Sequence, residues 1–495
     1  MSPGPTADVP DVRVRLLNTR PPRETGEYVL YWMIAARRPR WNFALQRAIA
    51  WGRQAGRPVL VFEPLRAGYQ WASDRLHAFV LQGMADTATA LAGGPLGYYP
   101  YVEPEPGAGR GLLAALAARA TVVVTDDFPA FFLPRMTAAA ADRLSVRVEG
   151  VDGNGLLPLA AATREFPTAH AFRRFLQATL PGHLAAFPAD DPVAGSGLSS
   201  FGGLPVAVAR DWPAAGTRML AAGVGSLSPL PIDHTVKPVD TRGGHTAAAD
   251  ALEGFLRDRL PRYATERNQP ESDAASGLSP WLHFGHLSVH QVFADLMTRE
   301  GWTSRRLPAS GTGQREGWWG VSPSAEAFLD ELVTWRELGY VNCHRDPHHA
   351  DYASLPAWAR ATLDRHAADE REHVYTLAEF EEAATHDALW NAAQRQLRRE
   401  GRMHNYLRML WGKKILEWTR SPEDALAVMI ELNNKYALDG RDPNSYTGIS
   451  WVLGRYDRPW APERPVFGMV RYMSSENTAR KLRVRGYLAR YGPLA

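Results

Sequence analysis

The hydrophobic pattern changes its period part-way along the chain, and this change constrains the fold more than any other feature. In the first third, short apolar runs such as residues 28–34 (YVLYWMI) and 58–64 (PVLVFEP) alternate with stretches of helical spacing. Alternating strands and helices predict a parallel sheet covered by helices. Beyond residue 247 the strand signals disappear and stretches of helical spacing follow one another. The sequence therefore predicts an α/β region followed by an all-α region.

Composition supplies the domain boundaries. Residues 1–25 are rich in Pro and Gly and predict a flexible arm, and residues 26–190 hold the α/β pattern of a Rossmann-like parallel sheet. Residues 191–245 shift to Pro, Gly, Ala and Ser and predict an interdomain linker, after which residues 246–495 form the helical domain. Neither GxGxxG after a strand nor GxxxxGK[ST] occurs. The α/β region therefore has no dinucleotide or P-loop signature, and its fold alone assigns no function.

Charge and cysteine content exclude several classes of protein. The chain has 56 Lys and Arg against 53 Asp and Glu, a net charge of +3, which excludes a polycation but permits a local basic surface. The one cysteine, Cys343, excludes an internal disulfide and a cysteine-cluster metal site, so no metal is expected. Without an apolar run of membrane-spanning length or a signal peptide, the sequence predicts a cytoplasmic protein with no membrane span.

Residues 401–418 (GRMHNYLRMLWGKKILEW) predict the most informative helix. At about 100° per residue, Asn405, Arg408 and Met409 share one side of this helix, while Trp411 and Trp418 lie two turns apart on another. One side thus offers an amide, a guanidinium and a thioether, and the other offers two indoles. An amphipathic helix with aromatic core residues has the same pattern, so this segment alone does not identify a function.

Three further segments carry polar or aromatic groups of interest. They are residues 439–444 (DGRDPN), residues 277–285 (GLSPWLHFG), and the pair Glu331 and Trp335. Alone, each also fits an ordinary turn, a helix start, or a surface ion pair beside a core indole. Tryptophan is unevenly distributed as well, because 11 of the 16 residues lie between Trp281 and Trp460. Core packing explains any one of them but not this clustering.

Taken together, these segments resemble the DNA photolyases of the photolyase/cryptochrome family, and among them the class II cyclobutane pyrimidine dimer photolyases. The matching stretches are YVLYWM, SGLSPWLHFGHLS, THDALWNAAQRQLRREGRMHNYLRMLWGKKILEW, LNNKYALDGRDPNSYTGISW and ERPVFGMVRYMS. The resemblance is specific from Ser276 to Ser474 and loose over residues 1–190 and in the insert at residues 301–324. The sequence departs from the class II pattern at Asn405-Tyr406, where Gly-Phe is common, and at Asn434, where Asp is frequent.

The resemblance implies that FAD is bound in the helical domain. Two sets of residues match the family's flavin contacts. The residues that would contact the FAD phosphates are Tyr263, Ser276, Gly277, Leu278 and Ser279. Those that would contact the flavin ring are Arg408, Asp439 and Asn433, with Asn444 as the alternative to Asn433. Arg408 and Asp439 look like the family's ion pair beside the flavin ring. Asn433 resembles the asparagine near the reducible nitrogen of the flavin.

The resemblance also implies an electron-transfer triad and a lesion pocket. Trp390, Trp411 and Trp418 look like the residues that photoreduce FAD in class II enzymes. The residues that look like the pocket for a flipped-out pyrimidine dimer are Glu331, Trp335, Asn405, Met409, Trp451 and Trp460. Aromatic and thioether groups suit the faces of two unstacked bases, and a carboxylate and an amide suit their polar edge. Electron transfer from excited reduced FAD would then split the dimer in UV-damaged DNA.

The remaining expectations concern partners and alternatives. A deazaflavin-type antenna in the α/β domain and a monomeric state follow from the resemblance. The basic residues that would line the DNA face are Arg441, Arg455, Arg458, Arg471, Arg480, Lys481, Arg483 and Arg485. Three alternatives stay open: a cryptochrome-type blue-light photoreceptor, repair of the 6-4 photoproduct, and a helical nucleic-acid-binding module without flavin. Cryptochromes often carry long C-terminal tails, whereas little sequence follows Trp451 in this chain.

Overall fold

The computed structural model describes residues 9–493, apart from the side chains of residues 222–224. The chain forms two compact units, and each is assembled from separate segments. A sheet unit contains Met1–Thr163, Thr179–Glu253 and Leu278–Gly301, and a helical unit contains Arg164–Ala178, Gly254–Gly277 and Trp302–Ala495. This grouping differs from the predicted contiguous domains, because residues 164–178 belong to the helical unit and residues 278–301 to the sheet unit.

The sheet unit is built on one sheet of six strands. The strands are β1 (Val14–Leu16), β2 (Tyr28–Trp32), β3 (Val59–Leu65), β4 (Gly97–Val102), β5 (Ala120–Asp126) and β6 (Val148–Val151). Their order across the sheet is β1-β6-β5-β2-β3-β4, and all neighbours are parallel except β1, which runs antiparallel to β6. The order from β6 to β4 is that of a Rossmann-like doubly wound sheet. The predicted α/β fold class is therefore confirmed, and the two apolar runs at residues 28–34 and 58–64 correspond to β2 and β3.

Apolar residues cover both faces of this sheet. Leu30, Leu60 and Val123 point into one core cluster, and their neighbours Val29 and Val61 point into the opposite one. This distribution follows from the alternation of side chains along a strand. Because both faces are covered, the strands appear in the sequence as continuous apolar runs rather than as an alternating pattern.

The N-terminal segment corrects one prediction. Residues 1–8 lie outside the described residues, but the expected flexible arm is wrong for the part that follows. Val14–Leu16 pairs with β6, and the Arg13 side chain is buried, with Nη2 donating to the carbonyl oxygen of Leu156 at 2.7 Å. A three-residue strand is too short to leave a periodic signal in the sequence, so the Pro and Gly content around it dominates the prediction.

The helices follow in chain order as α1 (Phe43–Ala55), α2 (Asp74–Leu91), α3 (Leu112–Ala117), α4 (Leu133–Arg143), α5 (Ala169–Thr179), α6 (Val206–Asp211), α7 (Thr217–Ala222), α8 (His245–Gly254), α9 (Tyr263–Glu266), α10 (Ser279–His283), α11 (Val289–Arg299), α12 (Pro323–Leu329), α13 (Arg336–Arg345), α14 (Ala357–Arg365), α15 (Leu377–Glu381), α16 (Ala388–Glu400), α17 (Asn405–Trp418), α18 (Pro422–Tyr436), α19 (Pro443–Val452), α20 (Ser475–Lys481) and α21 (Arg485–Tyr491). Two π-helical segments, Phe255–Arg259 and Asp330–Trp335, follow α8 and α12 directly. The expected linker at residues 191–245 contains α6 and α7.

Local signals explain where the helices around α17 begin and end. Asp387 accepts hydrogen bonds from the backbone amides of Leu389 and Trp390, which starts α16, and Gly401 ends it with φ of 66°. Ser421 begins α18 by accepting from the amide of Asp424. These are the polar caps and glycine stops that favour helix ends. Helices α16, α17, α18 and α19 pack on one another in the helical unit.

Candidate active site

Helix α17 brings the predicted groups together, because it presents different residues to each of its neighbours. Asn405 is exposed at its first turn, Arg408 and Met409 are half-buried, and Trp411 is buried against α16. The N-cap residue His404 places its ring Nε2 at 3.0 Å from the carbonyl oxygen of Arg267. The open face predicted for Asn405, Arg408 and Met409 is thus present.

The predicted flavin-ring residues form a connected group in the helical unit. Arg408 meets the Asp439 carboxylate with both terminal guanidinium nitrogens, at 3.2 Å and 3.5 Å. Gly440 follows Asp439, and a Cβ on this glycine would lie 2.8 Å from the carbonyl oxygen of Asn433. Any side chain at residue 440 would therefore separate the loop from the end of α18. The close approach therefore brings the residue that follows Asp439 against the backbone of Asn433, which is buried.

Asn433 and Asn444 have different environments. Asn433 donates from Nδ2 to Oδ1 of Asn434 at 3.2 Å. Asn444 donates both its backbone amide and its Nδ2 to Oδ1 of Asp442, each at 2.9 Å, and so belongs to the cap that begins α19. The side-chain amide of Asn444 is therefore held by the cap of α19, whereas that of Asn433 is held by the neighbouring Asn434.

The predicted phosphate-binding residues occupy two places. Tyr263 begins α9, is buried against Phe255 and Phe328, and has its pKa raised by burial. Ser276 and Gly277 end one segment of the helical unit, whereas Leu278 and Ser279 begin a segment of the sheet unit. Leu278 is buried and Ser279 is exposed. Gly277 has φ of 66°, a conformation that favours glycine.

The three tryptophans of the predicted triad form a continuous series. Trp390 stacks on Trp411 with ring centroids 6.5 Å apart and planes 5° apart, and it meets Trp418 edge-on at 6.0 Å. The Nε1 of Trp390 donates to the backbone oxygen of Trp411 at 3.0 Å, and the Nε1 of Trp411 donates to Gln394 at 2.9 Å. The spatial order is therefore 411, 390, 418. Trp411 lies one turn beyond Arg408, so the series begins next to the Arg408–Asp439 pair.

Glu331 and Trp335 lie on the π-helical segment that joins α12 to α13. Glu331 forms an ion pair with Arg267 at 3.3 Å, and the backbone oxygen of the same Arg267 contacts the His404 ring. Arg267 therefore connects Glu331 to the start of α17. Burial raises the pKa of the Glu331 carboxyl, and the Arg267 charge opposes that rise. Trp335 is half-buried at the end of the same segment.

Trp451 and Trp460 are linked by cations rather than by direct stacking. The Arg471 guanidinium carbon lies 5.8 Å from the Trp451 ring centroid and 4.2 Å from that of Trp460. The Arg458 guanidinium carbon lies 4.8 Å from the Trp460 ring centroid, and the Nε1 of Trp460 donates to Asp457 at 3.0 Å. Both indoles are half-buried. Two of the predicted lesion-contacting side chains thus form one aromatic and cationic cluster.

The predicted basic face is wrong at two positions. Arg441 is buried, and its Nη1 donates to the backbone oxygen of Asn434 at 2.6 Å. Arg455 is buried as well and donates to Oδ1 of Asn342 at 3.1 Å. Both guanidinium groups satisfy backbone and amide oxygens of the helical unit, so neither is available to a DNA phosphate. The exposed members of the predicted set are Arg458, Arg480, Lys481, Arg483 and Arg485.

Sequence reasoning missed two residues that the structure places next to predicted site residues. Arg267 and Gln394 hold Glu331 and Trp411, respectively. Gln394 follows Trp390 by one helical turn, a spacing that would have allowed its selection once the triad was in hand. Nothing in the sequence marks Arg267, because its partner lies more than 60 residues further along the chain.

Metal-binding clusters and membrane-spanning helices are both absent from the described part of the chain. Within residues 9–493, no group of three or more His, Cys, Asp or Glu side chains is arranged to hold a metal ion. Across the same residues, no helix is both long enough and apolar enough to cross a membrane.

Comparison with known proteins identifies the family. The chain is 32% identical over 479 residues to a deoxyribodipyrimidine photo-lyase of Methanothermobacter thermautotrophicus, and the match covers 97% of each chain. The chain belongs to the photolyase family. Within it, the chain is 32% identical to a deoxyribodipyrimidine photo-lyase of Arabidopsis thaliana, with 98% of this chain and 93% of that protein covered. It is 34% identical to one of Oryza sativa subsp. japonica, with 96% and 90% covered.

A solved photolyase structure shares the fold. A bacterial class III photolyase from Agrobacterium tumefaciens superposes with a TM-score of 0.67 at 19% identity, covering 94% of this chain and 86% of that one. At this identity the likeness establishes the fold of the family member rather than its class. No protein-family model matches the sequence.

Proposed function

We propose that this photolyase-family protein repairs cyclobutane pyrimidine dimers in UV-damaged DNA under blue light. The observation that carries the proposal is the arrangement around α17. Arg408, beside Asp439, lies one turn from the start of the tryptophan series, while Asn405 and Met409 line the half-open side of the same helix. One helix therefore connects a candidate redox group with a candidate lesion pocket. The names of the archaeal and plant relatives support this activity.

FAD is the proposed cofactor, and the residues of the helical unit fit it. At Gly277 an added Cβ would have only Nη1 of Arg259 near it, at 3.8 Å, so the turn leaves room for a ligand to approach the backbone. The half-buried Arg408–Asp439 pair offers a cation and a carboxylate, and Asn433, whose backbone closely approaches Gly440, offers an amide. A flavin ring edge, with its nitrogens and carbonyl oxygens, requires donors and acceptors of this kind.

Each group of residues has a distinct proposed role. When bound, FAD supplies the light-driven electron that opens the cyclobutane ring. Arg408 and Asp439 set the local field at the ring, and the Trp411, Trp390 and Trp418 series passes electrons to the cofactor from outside. Because the electron returns after ring opening, the reaction breaks carbon–carbon bonds with no net oxidation or reduction.

The lesion pocket is proposed to bind a dimer flipped out of the duplex. Trp335, Trp451, Trp460 and Met409 supply flat or polarizable surfaces for the base faces, and Glu331 and Asn405 supply hydrogen-bonding groups for the base edges. A damaged base pair is already poorly stacked, which lowers the free energy of extrusion. The exposed cations Arg458, Arg480, Lys481, Arg483 and Arg485 would contact the DNA phosphates.

A class II assignment, a monomeric state and a cytoplasmic location complete the proposal. The class rests on the motif stretches between Ser276 and Ser474, which resemble class II enzymes.

A direct repair assay tests the proposed function. We expect purified protein to absorb at about 370 and 450 nm, as bound flavin does. After photoreduction, it should repair the dimer in dimer-containing oligonucleotides under blue light. An undamaged oligonucleotide and a dark sample serve as controls. Flavin-bound, reduced protein that leaves the cyclobutane dimer intact would contradict the proposal. Repair of a 6-4 photoproduct instead would select that alternative, and no repair of either lesion would favour a photoreceptor.

An antenna site is proposed in the sheet unit. A cavity of about 670 Å³ opens at the carboxyl ends of the strands, where ligands of such sheets usually bind. Trp32, Phe131 and Phe132 line it together with Arg66 and Arg135. Trp32 is buried, and its Nε1 has no hydrogen-bond partner among the described residues. Flat aromatic walls, cations and a free donor suit a planar, acidic chromophore such as a deazaflavin.

Filling the cavity tests the antenna proposal. Ala140 lines the cavity, so Ala140→Trp is expected to abolish binding of an added deazaflavin, seen as loss of its absorption and of energy transfer to FAD. FAD content and repair driven by light that FAD absorbs directly should remain. Ala138→Trp, at an exposed position of α4 outside the cavity lining, is the matched control. Equal deazaflavin binding by both variants would place the antenna elsewhere.

A further inference from the structure

Two consecutive lysines of α17 are buried, although lysine is almost never buried without a partner. Lys413 has no exposed surface and Lys414 is 6% exposed. Lys414 pairs with Glu417 at 2.7 Å and lies 5.3 Å from the Trp418 ring centroid. Lys413 points to a different indole, that of Trp451, at 5.1 Å. The two ammonium groups therefore serve different tryptophans, one from the triad and one from the proposed lesion pocket.

Lys413 continues the pocket-lining side of α17. It follows Asn405 and Met409 at intervals of four residues, so the three side chains lie in one row along the helix. Its Nζ donates to the backbone oxygen of Val452 at 2.5 Å. Val452 is the last residue of α19, the helix that carries Trp451, and a cation at a helix C-terminus interacts favourably with its dipole. The lysine thus binds both the end of this helix and the face of its indole.

Burial and two charged neighbours, Asp457 and Arg471, determine the electrostatic environment of Lys413. Burial lowers the pKa of Lys413 to about 7, Asp457 opposes this shift, and Arg471 adds to it. Arg471 also faces the Trp451 ring and forms an ion pair with Asp457 at 3.6 Å. A buried ammonium next to the Arg471 guanidinium contributes little to the stability of the fold, because its desolvation free energy exceeds the favourable free energy of its contacts. An apolar side chain of similar size would fill the same space without that desolvation.

We propose that Lys413 is a positioning residue of the lesion pocket, which fixes the Trp451 indole so that one wall is preformed before the dimer enters. The proposal rests on the proposed function. A fixed indole lowers the ordering entropy of binding, since the side chain does not have to be immobilised when the ligand arrives. Loss of the cation would free the ring and raise the concentration of lesion needed for half-maximal repair.

Three substitutions separate the charge from the packing. At about pH 6, where Lys413 with its pKa of about 7 is mostly protonated, Lys413→Met is expected to weaken binding of a dimer-containing oligonucleotide up to about 30-fold. This loss corresponds to the roughly 2 kcal/mol of a desolvated cation–π contact, and the repair yield at saturating DNA should be retained. Lys413→Gln keeps a donor for Val452 without the charge and should be weakened similarly. Lys413→Arg keeps both and should recover most of the affinity. FAD absorbance and the unfolding temperature, measured on the same samples, report whether each variant is folded.

The control is Lys435→Met, which should bind dimer-containing DNA as wild type does. Lys435 pairs with Glu381 at 2.6 Å and lies 5.4 Å from the Tyr436 ring, so it has the same type of contact outside the proposed site. Wild-type binding by folded Lys413→Met, or by Lys413→Gln if Met does not fold, would overturn the proposal. Lys413→Arg that unfolds at the wild-type temperature but binds as weakly as Lys413→Met would overturn it too, because the charge and the donor would then be present without effect. If wild-type protein bound damaged and undamaged DNA equally, the proposed function would fail instead.

Discussion

Replacing Trp390 with phenylalanine is expected to slow photoreduction of bound FAD about 100-fold or more. Trp390 contacts both other indoles of the series, at 6.5 Å and 6.0 Å, so its replacement interrupts the path on both sides. Phenylalanine is much harder to oxidise than tryptophan, and every 1.4 kcal/mol or so added to a barrier slows a step about tenfold. The measurement is the loss of oxidised-flavin absorbance under blue light with an external reductant.

Chemically reduced enzyme provides the internal control for this variant. Repair by Trp390→Phe reduced with dithionite should match wild type, because the triad serves the cofactor and does not touch the lesion. The substitution also removes the hydrogen bond to Trp411 and leaves a small void, with an expected stability loss of roughly 1–3 kcal/mol. Trp302→Phe, in the same unit but outside the series, should photoreduce normally. Equal loss of photoreduction and of dithionite-driven repair would argue against the electron-transfer role.

Replacing Glu331 with glutamine is expected to weaken binding of dimer-containing DNA roughly 10- to 100-fold. A hydrogen bond to a charged group contributes about 1.5–3 kcal/mol, and the neutral amide loses that contribution. The change also removes the partner of Arg267, at 3.3 Å, so an uncompensated cation remains beside the start of α17. Titration with damaged and undamaged oligonucleotides measures the effect as a loss of discrimination between them.

FAD should remain bound to this variant, because Glu331 is outside the Arg408, Asp439 and Asn433 group. Glu423→Gln makes the same change of charge at an exposed position in the first turn of α18, outside the proposed pocket residues, and should bind damaged DNA as wild type does. If Glu331→Gln discriminated between damaged and undamaged DNA as well as Glu423→Gln, the carboxylate would have no part in recognising the dimer.

The site was predictable where all the side chains concerned lie on one helix. The face of α17 with Asn405, Arg408 and Met409 follows from helical geometry alone, and so does the separation of Trp411 from it. The spacing of Trp411 and Trp418 predicts that both indoles lie on one side of the helix, two turns apart. The structure places Trp390 in between, because α16 packs beside α17 and its buried side inserts one indole between two others.

Charged residues were the least predictable part of the site. Arg441 and Arg455 look like surface residues in the sequence, yet both are buried against carbonyl and amide oxygens. Lys413 sits in an amphipathic helix next to another lysine, and nothing in that pattern reveals which ammonium is enclosed. The oxygens that enclose Arg455 belong to Asn342 and Ser354, 113 and 101 positions earlier in the chain. Arg441 is enclosed by Asn434 and Leu438 instead, because the loop after α18 folds back on the end of that helix, and neither arrangement follows from a periodic pattern.

The sequence by itself determined the two kinds of architecture. The spacing of its apolar residues is typical of alternating strands and helices in the first third and of helices alone beyond residue 247, and this spacing is a local property of the chain. It also indicated the family, because specific motif stretches recur between Ser276 and Ser474. Only the tertiary structure decided the order of the tryptophans, the pairing of Glu331 with Arg267, the membership of α5 in the helical unit and the burial of Lys413. Each of these depends on contacts between segments far apart in the chain, which no local pattern encodes.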